Sequence, residues 1–432
     1  MIGCGYLGAV HAAAMASLGH RVIGIDTSTD RVAQLATGVS PFFEPGLDDL
    51  LRTGIDNGRL SFSADIADAA AAEVHFICVG TPQVKDGSAA DLSFVDAAVA
   101  SLLPHLQAGA VVAGKSTVPV GTAARLAPLV REAGAELAWN PEFLREGWAV
   151  KDTLEPDRLV IGVASDSAGQ RAEAVLREVY RTPLEVGTPC IVADYATAEL
   201  VKVSANAFLA TKISFINAMA EIAEVTGADV TVLADAIGHD DRIGRRFLGA
   251  GIGFGGGCLP KDIRAFAARA EELGLRDSVG VLRDVDAINL RRREHAVQLV
   301  VDELGGSPLG KRVAVLGAAF KPHSDDTRDS PALFAATRLH GLGADVVVTD
   351  PRAIDDARNV HPQLAYEADL DTALRDAEVV LLVTEWPEYR YDLDPAHAAK
   401  LVARPVIVDA RNALNRDAWR AAGWRVRGMG RP

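Results

Sequence analysis

The sequence predicts an α/β protein in which two doubly wound parallel-sheet domains flank a central helical domain with a long bridging helix. Short apolar runs alternate with Ala-rich helical segments in the first third of the chain, and this alternation returns after residue 311. Residues 197–304 contain no convincing strand and two long helical patterns instead. Because alternating strands and helices are typical of parallel sheets covered on both faces, we expect one such sheet at each end.

The predicted elements follow this order along the chain. In the first domain the strands are residues 22–26, 74–79, 111–114, 137–139, 159–163 and 191–192, and the helices are 9–18, 30–35, 94–103 and 122–133. In the central domain, helices 198–226 and 278–304 flank a glycine-rich loop at 249–257. In the last domain the strands are 312–316, 345–349, 379–383 and 406–409. We place the domains at 1–195, 196–305 and 306–432, with helix 278–304 long enough to bridge two of them.

Composition excludes several classes of protein. The chain has 432 residues, of which 49% are hydrophobic, and its net charge is −14. Such an acidic chain argues against a general nucleic-acid binder or a protein held on anionic membranes. No apolar run reaches the roughly 20 residues of a membrane helix, and the N-terminal segment lacks a basic signal-peptide region. The four cysteines are widely spaced, so we expect no metal site, no disulfides and a cytoplasmic location.

A glycine motif close to the N-terminus predicts a dinucleotide site. Gly3, Gly5 and Gly8, with Tyr6 and Leu7 between them, match G-x-G-x-x-G. The three glycines give a tight turn, close approach of a pyrophosphate, and helix–strand packing. Asp26 follows near the expected spacing and would bind a ribose diol, which favours NAD over NADP. We therefore expect Rossmann-like terminal domains. Because only two residues precede the motif, we also expect a chain that begins several residues late, with a shortened first strand.

A cysteine follows the central glycine loop and is the candidate nucleophile. Residues 254–262 have the sequence Phe-Gly-Gly-Gly-Cys-Leu-Pro-Lys-Asp. Pro260 suits the first turn of a helix, so Cys258 would lie at the N-terminal end of that helix. There the helix dipole and Lys261 would favour the nucleophilic thiolate, and Asp262 would face the same side. We interpret Cys4, Cys78 and Cys190 as small buried hydrophobic residues instead.

Further motifs appear in a fixed order along the chain. They are Pro-Phe-Phe-Glu-Pro-Gly-Leu at 41–47, Cys-Val-Gly-Thr-Pro at 78–82, Lys-Ser-Thr-Val-Pro-Val-Gly-Thr at 115–122, Asn-Pro-Glu-Phe-Leu-Arg-Glu-Gly at 140–147, Lys-Val-Ser-Ala-Asn-Ala-Phe at 202–208, Phe320-Lys321 and Asp326-Thr327-Arg328. Together with the glycine motif and the cysteine loop, they resemble the UDP-glucose/GDP-mannose dehydrogenase family over nearly the whole chain.

This resemblance implies a four-electron oxidation of a nucleotide sugar at C6 by two NAD, through an enzyme-bound thioester. Cys258 matches the nucleophile. Lys202 and Asn206, four residues apart and therefore on one helix face, match the groups that stabilise the developing alkoxide. Thr117 and Asp262 match positions that hold a catalytic water. Glu142 matches the base for thioester hydrolysis; the alternative for Glu142 and Glu146 is an ordinary acidic helix face, and for Lys202 a solvated surface charge.

The resemblance also assigns binding residues. The cofactor contacts are Gly3, Gly5, Tyr6, Leu7, Gly8, Asp26, Arg31, Thr81, Ser116, Thr117, Glu146 and Arg328. The sugar-nucleotide contacts are Glu142, Phe143, Leu144, Lys202, Asn206, Phe247, Gly251, Gly255, Lys321 and Arg411. Arg242 matches a position that reaches the substrate across a dimer interface, so a homodimer or larger homo-oligomer is implied.

Several alternatives remain open from the sequence. The segments at 140–147 and 202–217 look like the UDP-glucose branch, but Leu259 stands where many of those enzymes carry phenylalanine. UDP-glucose is therefore the expected substrate, followed by GDP-mannose and UDP-N-acetylhexosamines. A one-step hydroxyacid dehydrogenase would share the glycine motif and the Lys-x-x-x-Asn pair but would need no thiol. A non-catalytic nucleotide-sugar binding protein would bind the sugar nucleotide without the cofactor.

Overall fold

A computed structural model describes residues 1–432. The strands are β1 (Val22–Ile25), β2 (Leu60–Ser63), β3 (Val74–Ile77), β4 (Val111–Gly114), β5 (Glu136–Trp139), β6 (Leu159–Gly162), β7 (Cys190–Ala193), β8 (Arg312–Leu316), β9 (Asp345–Thr349), β10 (Ala365–Tyr366), β11 (Val379–Leu382), β12 (Val406–Asp409) and β13 (Arg425–Gly428). Every predicted strand is present, with ends that differ by two residues or fewer.

Helices connect these strands. They are α1 (Tyr6–Ser17), α2 (Thr29–Ala36), α3 (Leu47–Asp56), α4 (Ser93–Leu102), α5 (Thr122–Glu132), α6 (Ala149–Leu154), α7 (Ser167–Val179), α8 (Arg181–Glu185), α9 (Tyr195–Thr226), α10 (Val230–Gly238), α11 (Leu259–Glu272), α12 (Gly280–Glu303), α13 (Pro331–Gly341), α14 (Ile354–Val360), α15 (Leu370–Leu374), α16 (Pro395–Ala398) and α17 (Arg416–Ala421). None of them combines the length and the apolar character that crossing a bilayer requires.

The chain divides into two compact units. Unit 1 comprises Met1–Ala205 and Ala268–Gly274, and unit 2 comprises Asn206–Ala267 and Leu275–Pro432. Two helices belong to both units: α9, which has 32 residues, and α11, whose residues 268–272 fall in unit 1. The other long helix, α12, lies within unit 2. As predicted, no strand occurs between residues 197 and 304. The three-domain division at 195 and 305 stays a prediction.

The sheet of unit 1 has the strand order of a dinucleotide-binding fold. Parallel strands β1 and β2 form one part, and β3-β4-β5-β6-β7 form the other. Ile2 forms bridges to Ile25 of β1 and to Ile77 of β3, so it occupies the first-strand position between them. The resulting order, with Ile2 as strand one, starts 3-2-1-4-5-6 as in Rossmann folds. One pair departs from the predicted parallel arrangement, because β5 and β6 are antiparallel at Trp139 and Gly162.

The sheet of unit 2 repeats this order with complete strands. Its order is β10-β9-β8-β11-β12-β13, and every neighbouring pair is parallel. Strands β11 and β12 are buried throughout, which explains their continuous apolar runs. The sequence missed β2, β10 and β13, each of which pairs with only one neighbour. Edge strands of this kind are short or contain polar residues, so the sequence shows no continuous apolar run at their positions.

A buried aspartate joins the first two strands of the unit 2 sheet. Asp350 directly follows β9 and accepts hydrogen bonds from the backbone N–H groups of Ala318 at 2.7 Å and Ala319 at 3.0 Å. It also accepts from the backbone N–H of Ala353 and from Nε1 of Trp386. The loop after β8 is therefore held in place by hydrogen bonds to a buried carboxylate.

Replacing this aspartate should destabilise unit 2. Asp350→Ala leaves several buried N–H groups without an acceptor, so we expect a loss of about 3 kcal/mol or more in the free energy of unfolding. The measurement is urea denaturation followed by circular dichroism. Asp345→Ala is the matched control on the same strand, because Asp345 makes only an exposed ion pair with Arg312 and should cost less than about 1 kcal/mol. Equal losses in the two variants would contradict this role of Asp350.

Candidate functional site

The glycine motif forms a turn whose backbone is open to a ligand. Gly3 has a φ of +88°, which favours glycine, and α1 begins directly after Gly5 without a side-chain cap. A Cβ atom at Gly5 would meet nothing within 4 Å, whereas one at Gly8 would lie 1.8 Å from the carbonyl oxygen of Gly3. Gly8 is thus needed for packing, and Gly5 leaves space in front of the helix N-terminus. A pyrophosphate fits there because uncapped N–H groups attract anions.

Asp26 lies beside this turn. It is buried directly after β1, and its carboxylate accepts hydrogen bonds from the backbone N–H groups of Cys4 at 2.7 Å and Ser28 at 2.9 Å. Arg31 forms an ion pair with it at 3.0 Å. The predicted cofactor residues Asp26 and Arg31 are therefore brought together at the edge of the sheet that carries the glycine turn.

The strand ends of β3 and β4 contribute the next group. The hydroxyl of Thr81 donates to the carbonyl oxygen of Thr117 at 2.7 Å, and the hydroxyl of Ser116 donates to that of Val79 at 2.6 Å. Thr81 and Ser116 are buried, and Thr117 is partly exposed. These residues follow neighbouring strands, so the fold collects them at the carboxyl edge of the sheet, where parallel α/β folds bind ligands.

Glu142 and Lys202 form the most deeply placed ion pair of unit 1. Their charged atoms lie 2.9 Å apart, with 11% and 6% of the side chains exposed. The Nζ atom of Lys202 also lies 5.6 Å from the ring centroid of Phe143, and Glu142 accepts a hydrogen bond from the backbone N–H of Leu144. Residues 140–147 are not helical, and Lys202 is buried. Glu142 and Glu146 therefore do not lie on an acidic helix face, and Lys202 is not a solvated surface charge.

A buried glutamate that the sequence analysis did not single out holds the neighbouring loop. Glu44 accepts hydrogen bonds from the backbone N–H groups of Gly147 at 2.6 Å and Ala149 at 2.7 Å. The hydroxyl of Tyr6 donates to the same carboxylate, and burial together with this contact raises the pKa of Tyr6. Glu146 is buried beside this group. Glu44 lies in the motif at 41–47, which was the available signal for it.

Cys258 precedes α11 in unit 2, as the sequence predicts. It is exposed, and its carbonyl oxygen accepts a hydrogen bond from the backbone N–H of Asp262 at 3.0 Å. Asp262 is buried and accepts from Nδ2 of Asn206 at 2.6 Å. Lys261 forms an ion pair with Asp262 at 2.5 Å, so its charge is shared with this carboxylate. Cys4 and Cys78 are buried as predicted, but Cys190 is only partly buried because β7 is an edge strand.

The glycine loop before Cys258 runs close to other backbone segments. A Cβ atom at Gly251 would lie 2.3 Å from the carbonyl oxygen of Ala410, and one at Gly255 would lie 2.3 Å from that of Asp329. The guanidinium of Arg328 lies against Gly257 in the same way. The loop therefore needs glycine at 251 and 255, where the close neighbours are backbone atoms, and the movable end of Arg328 lies next to the residue before Cys258.

Arg411 connects this loop to the sheet of unit 2. Its guanidinium donates to the carbonyl oxygens of Gly253 at 2.6 Å and Phe320 at 3.1 Å. Lys321 follows Phe320, and its Nζ atom lies 5.3 Å from that ring. Phe247 has a φ of +64° and is partly exposed. Arg411, Lys321, Gly251 and Gly255 thus belong to one cluster of loops.

Arg242 stands apart from this cluster. Its side chain is 89% exposed and forms an ion pair with Asp240 at 2.6 Å. Within its own chain the structure does not bring Arg242 together with the other predicted sugar-nucleotide residues.

Two further buried residues of α12 hold the cysteine loop, and no motif in the sequence marked them. The side-chain amide of Asn289 accepts from the backbone N–H of Phe254 at 2.8 Å and donates to its carbonyl oxygen at 3.0 Å. Arg293 donates to the same carbonyl oxygen at 2.7 Å and pairs with Asp329. In α9, Asn217 accepts from the backbone N–H of Gly251. These contacts depend on tertiary packing alone.

Comparison with known proteins identifies the family. Residues 1–183, 196–291 and 314–416 match the NAD binding, central and UDP binding domains of the UDP-glucose/GDP-mannose dehydrogenase family. The chain is 40% identical to a UDP-glucose 6-dehydrogenase of Rhizobium meliloti (strain 1021), with 100% of this chain and 99% of that protein covered. The chain belongs to the UDP-glucose/GDP-mannose dehydrogenase family.

Solved structures agree with this assignment. A UDP-glucose dehydrogenase from the archaeon Pyrobaculum islandicum aligns with a TM-score of 0.90 and 40% identity, covering 100% of this chain and 97% of that one. A UDP-D-ManNAc dehydrogenase from Pyrococcus horikoshii aligns with a TM-score of 0.86 and 27% identity, covering 100% and 98%. As a member of this family the chain uses NAD, and the open turn at Gly5 fits it. The residues form no cluster of three or more metal-ligating side chains.

Two glycine substitutions should separate cofactor binding from folding. Gly5→Ala adds a methyl group only to the open space before α1, so we expect an unchanged melting temperature and a Kd for NAD raised about ten-fold or more. Gly8→Ala forces a clash with Gly3 and should lower the melting temperature. Calorimetric titration with NAD and thermal denaturation give the two readings. Normal NAD affinity in Gly5→Ala would argue against a cofactor at this turn.

Proposed function

We propose that this chain oxidises the C6 hydroxyl of UDP-glucose to a carboxylate, giving UDP-glucuronate with two NAD per sugar. The observation that carries the proposal is the exposed thiol of Cys258 at the start of α11, next to a glycine loop and to the Asn206–Asp262 pair. A one-step alcohol dehydrogenase needs no such thiol. The 40% identity with UDP-glucose 6-dehydrogenases over the full length supports the choice of sugar.

The residues of unit 1 would hold the cofactor. NAD supplies the hydride acceptor for both oxidations when it is bound. Its contacts would be Gly3, Gly5, Tyr6, Leu7, Gly8, Asp26, Arg31, Thr81, Ser116, Thr117 and Glu146. The family resemblance also assigns Arg328 to the cofactor. The buried carboxylate of Asp26 suits a ribose diol and repels a 2′-phosphate.

Covalent catalysis would occur at Cys258. Loss of a first hydride from C6 and of the hydroxyl proton would leave an aldehyde. The thiolate would add to its carbonyl carbon, and the carbonyl oxygen would take up a proton to give a thiohemiacetal. Loss of a second hydride from C6 and of that hydroxyl proton would convert this adduct to a thioester. Lys202 and Asn206 would stabilise negative charge on the C6 oxygen, because an ammonium and an amide donor favour an oxyanion. Their spacing of one turn on α9 gives them the same direction.

Hydrolysis of the thioester would use a carboxylate base. Glu142 would remove a proton from water as that water attacks the thioester carbonyl, releasing the carboxylate product and the Cys258 thiol. Thr117 and Asp262 would hold this water. The ion pair with Lys202 fixes the Glu142 side chain at 2.9 Å, so the base has a defined direction.

The sugar nucleotide would be bound mainly by backbone and by a few cations. Gly251 and Gly255 allow close approach of the loop, while Phe143, Leu144 and Phe247 offer contact surface. Lys321 and Arg411 would neutralise the diphosphate, since fixed cations must replace its water shell. In a protein with a net charge of −14 such cations are a local exception.

Measuring NADH per sugar tests the whole proposal. With limiting UDP-glucose and excess NAD, absorbance at 340 nm should report two NADH per sugar in the wild-type protein. Cys258→Ser should bind UDP-glucose but form no acid, because an oxygen ester is hydrolysed less readily than a thioester. Cys190→Ser, on an edge strand, is the matched control and should retain the stoichiometry. One NADH per sugar, or normal turnover by Cys258→Ser, would contradict covalent catalysis.

We also propose a homodimer in a reducing, cytoplasmic compartment. Phe208, Phe215 and Ile222 recur every seven residues on α9 and are 67%, 49% and 56% exposed. Such a stripe of large apolar side chains is typical of an interface between helices. Arg242, which has no substrate-binding neighbour in its own chain, would then reach the substrate of the partner subunit. A catalytic thiol also requires reducing conditions.

A charge placed on this stripe should dissociate the dimer. Phe215→Glu buries a carboxylate in the proposed interface, so we expect a shift from dimer to monomer in analytical ultracentrifugation. Val186→Glu changes an exposed apolar residue that is not part of α9; it is the control and should remain dimeric. A dimer that persists in Phe215→Glu would exclude this face of α9.

A further inference from the structure

A buried lysine that takes no part in the proposed chemistry lies at the carboxyl ends of β4 and β5. Lys115 directly follows β4, and Asn140 directly follows β5, which is its parallel neighbour. Lys115 is 6% exposed and Asn140 is 1% exposed. The two residues therefore meet inside unit 1, immediately before the segments that carry Thr117 and Glu142.

The ammonium of Lys115 has only uncharged partners. It donates to Oδ1 of Asn140 at 3.0 Å and to the hydroxyl of Tyr180 at 3.2 Å. Its Nζ atom also lies 5.8 Å from the ring centroid of Phe76. A buried charge that lacks a carboxylate partner is costly, so a structural role alone would be served more cheaply by an uncharged side chain.

Asn140 links Lys115 to the backbone of β6 by hydrogen bonds. Its Oδ1 accepts from both Lys115 and the hydroxyl of Tyr180, the latter at 2.7 Å, and its Nδ2 donates to the carbonyl oxygen of Val160 at 2.8 Å. Every polar atom of this side chain is thus fixed, and Glu142 follows two residues later. The direction of the Glu142 segment therefore depends on Lys115.

The titratable groups around Lys115 leave few charges near it. They are His11 on α1, Cys78 after β3, Tyr180 after α7, Glu142 and Lys202. Burial and then Lys115 hold the pKa of His11 well below its usual value, so this ring is neutral. Burial raises the pKa of the Cys78 thiol to about 11. Burial also lowers the pKa of Lys115 to about 8, while Glu142 opposes that shift. Lys115 and Lys202 are therefore the cationic side chains of this set, and Lys202 pairs with Glu142.

We propose that Lys115 is a positioning residue for thioester hydrolysis: its buried ammonium orients the segment from Asn140 to Glu142 and adds a positive charge near that carboxyl group. This inference rests on the proposed role of Glu142 as the base. The charge of Lys115 adds to that of Lys202, which pairs with Glu142, and the hydrogen bonds of Asn140 to Lys115 and to Val160 hold the start of this segment.

The pH dependence of kcat tests this inference in the full-length protein. Lys115→Met keeps an unbranched side chain that is one atom shorter and removes the charge. We expect kcat to fall about ten-fold and the apparent pKa of its acid limb to rise by about 0.5 to 1 unit, because loss of a nearby cation favours the protonated carboxyl. The KM for UDP-glucose should change less than about three-fold, since Lys115 is buried and is not one of the proposed substrate contacts. If Lys115→Met does not fold, Lys115→Gln, which keeps a donor for Asn140, gives the same readings.

Two further variants make the result decisive. Tyr180→Phe removes the hydrogen bonds of the hydroxyl with Lys115 and Asn140 but no charge, so it should lower the melting temperature and leave the acid limb in place. Glu142→Gln should abolish that limb. If Lys115→Met keeps the wild-type acid limb while Glu142→Gln loses it, the role of Lys115 is overturned and the role of Glu142 stands. A limb that persists in Glu142→Gln would overturn both the base assignment and this inference.

Discussion

Buried side chains that accept hydrogen bonds from backbone N–H groups hold the loops at the carboxyl ends of both sheets, and many of the predicted site residues lie in these loops. Glu44 binds the segment at 147–149, and Glu199 accepts from the backbone N–H groups of Gly121 and Ala123 at 2.7 Å. Asn289 does the same for Phe254 in unit 2. Each contact satisfies a buried donor that would otherwise cost free energy, so the loops acquire one conformation.

The same constraint distinguishes the two Rossmann-like sheets. Asp26 and Asp350 both follow the second strand of their sheet, and both bind the loop after the first strand. Asp350 accepts hydrogen bonds from backbone N–H groups and from Trp386. Asp26 instead forms an ion pair with the partly exposed Arg31, beside an open glycine turn. This difference agrees with the match of unit 1 to an NAD binding domain and of residues 314–416 to a UDP binding domain.

The proposed chemistry is divided along the chain in a corresponding way. Unit 1 supplies the Glu142–Lys202 pair, and unit 2 supplies Cys258 with the Asn206–Asp262 pair. Helix α9 carries Lys202 and, one turn later, Asn206, so one continuous helix contributes to both sets. In each set a buried polar partner fixes the direction of a reacting side chain, which is the condition for electrostatic catalysis.

The sequence by itself determined the alternation of strands and helices, the glycine turn, Asp26, and the place of Cys258 before α11. These features depend on local patterns: apolar runs, backbone conformations that only glycine adopts, and the preference of proline for a first helical turn. Tertiary structure alone decided that Lys202 pairs with Glu142, that Glu44 and Asn289 clamp the loops, and that Lys115 meets Asn140 and Tyr180. Such contacts join residues far apart in the chain, and their energy comes from burial, which no local pattern encodes.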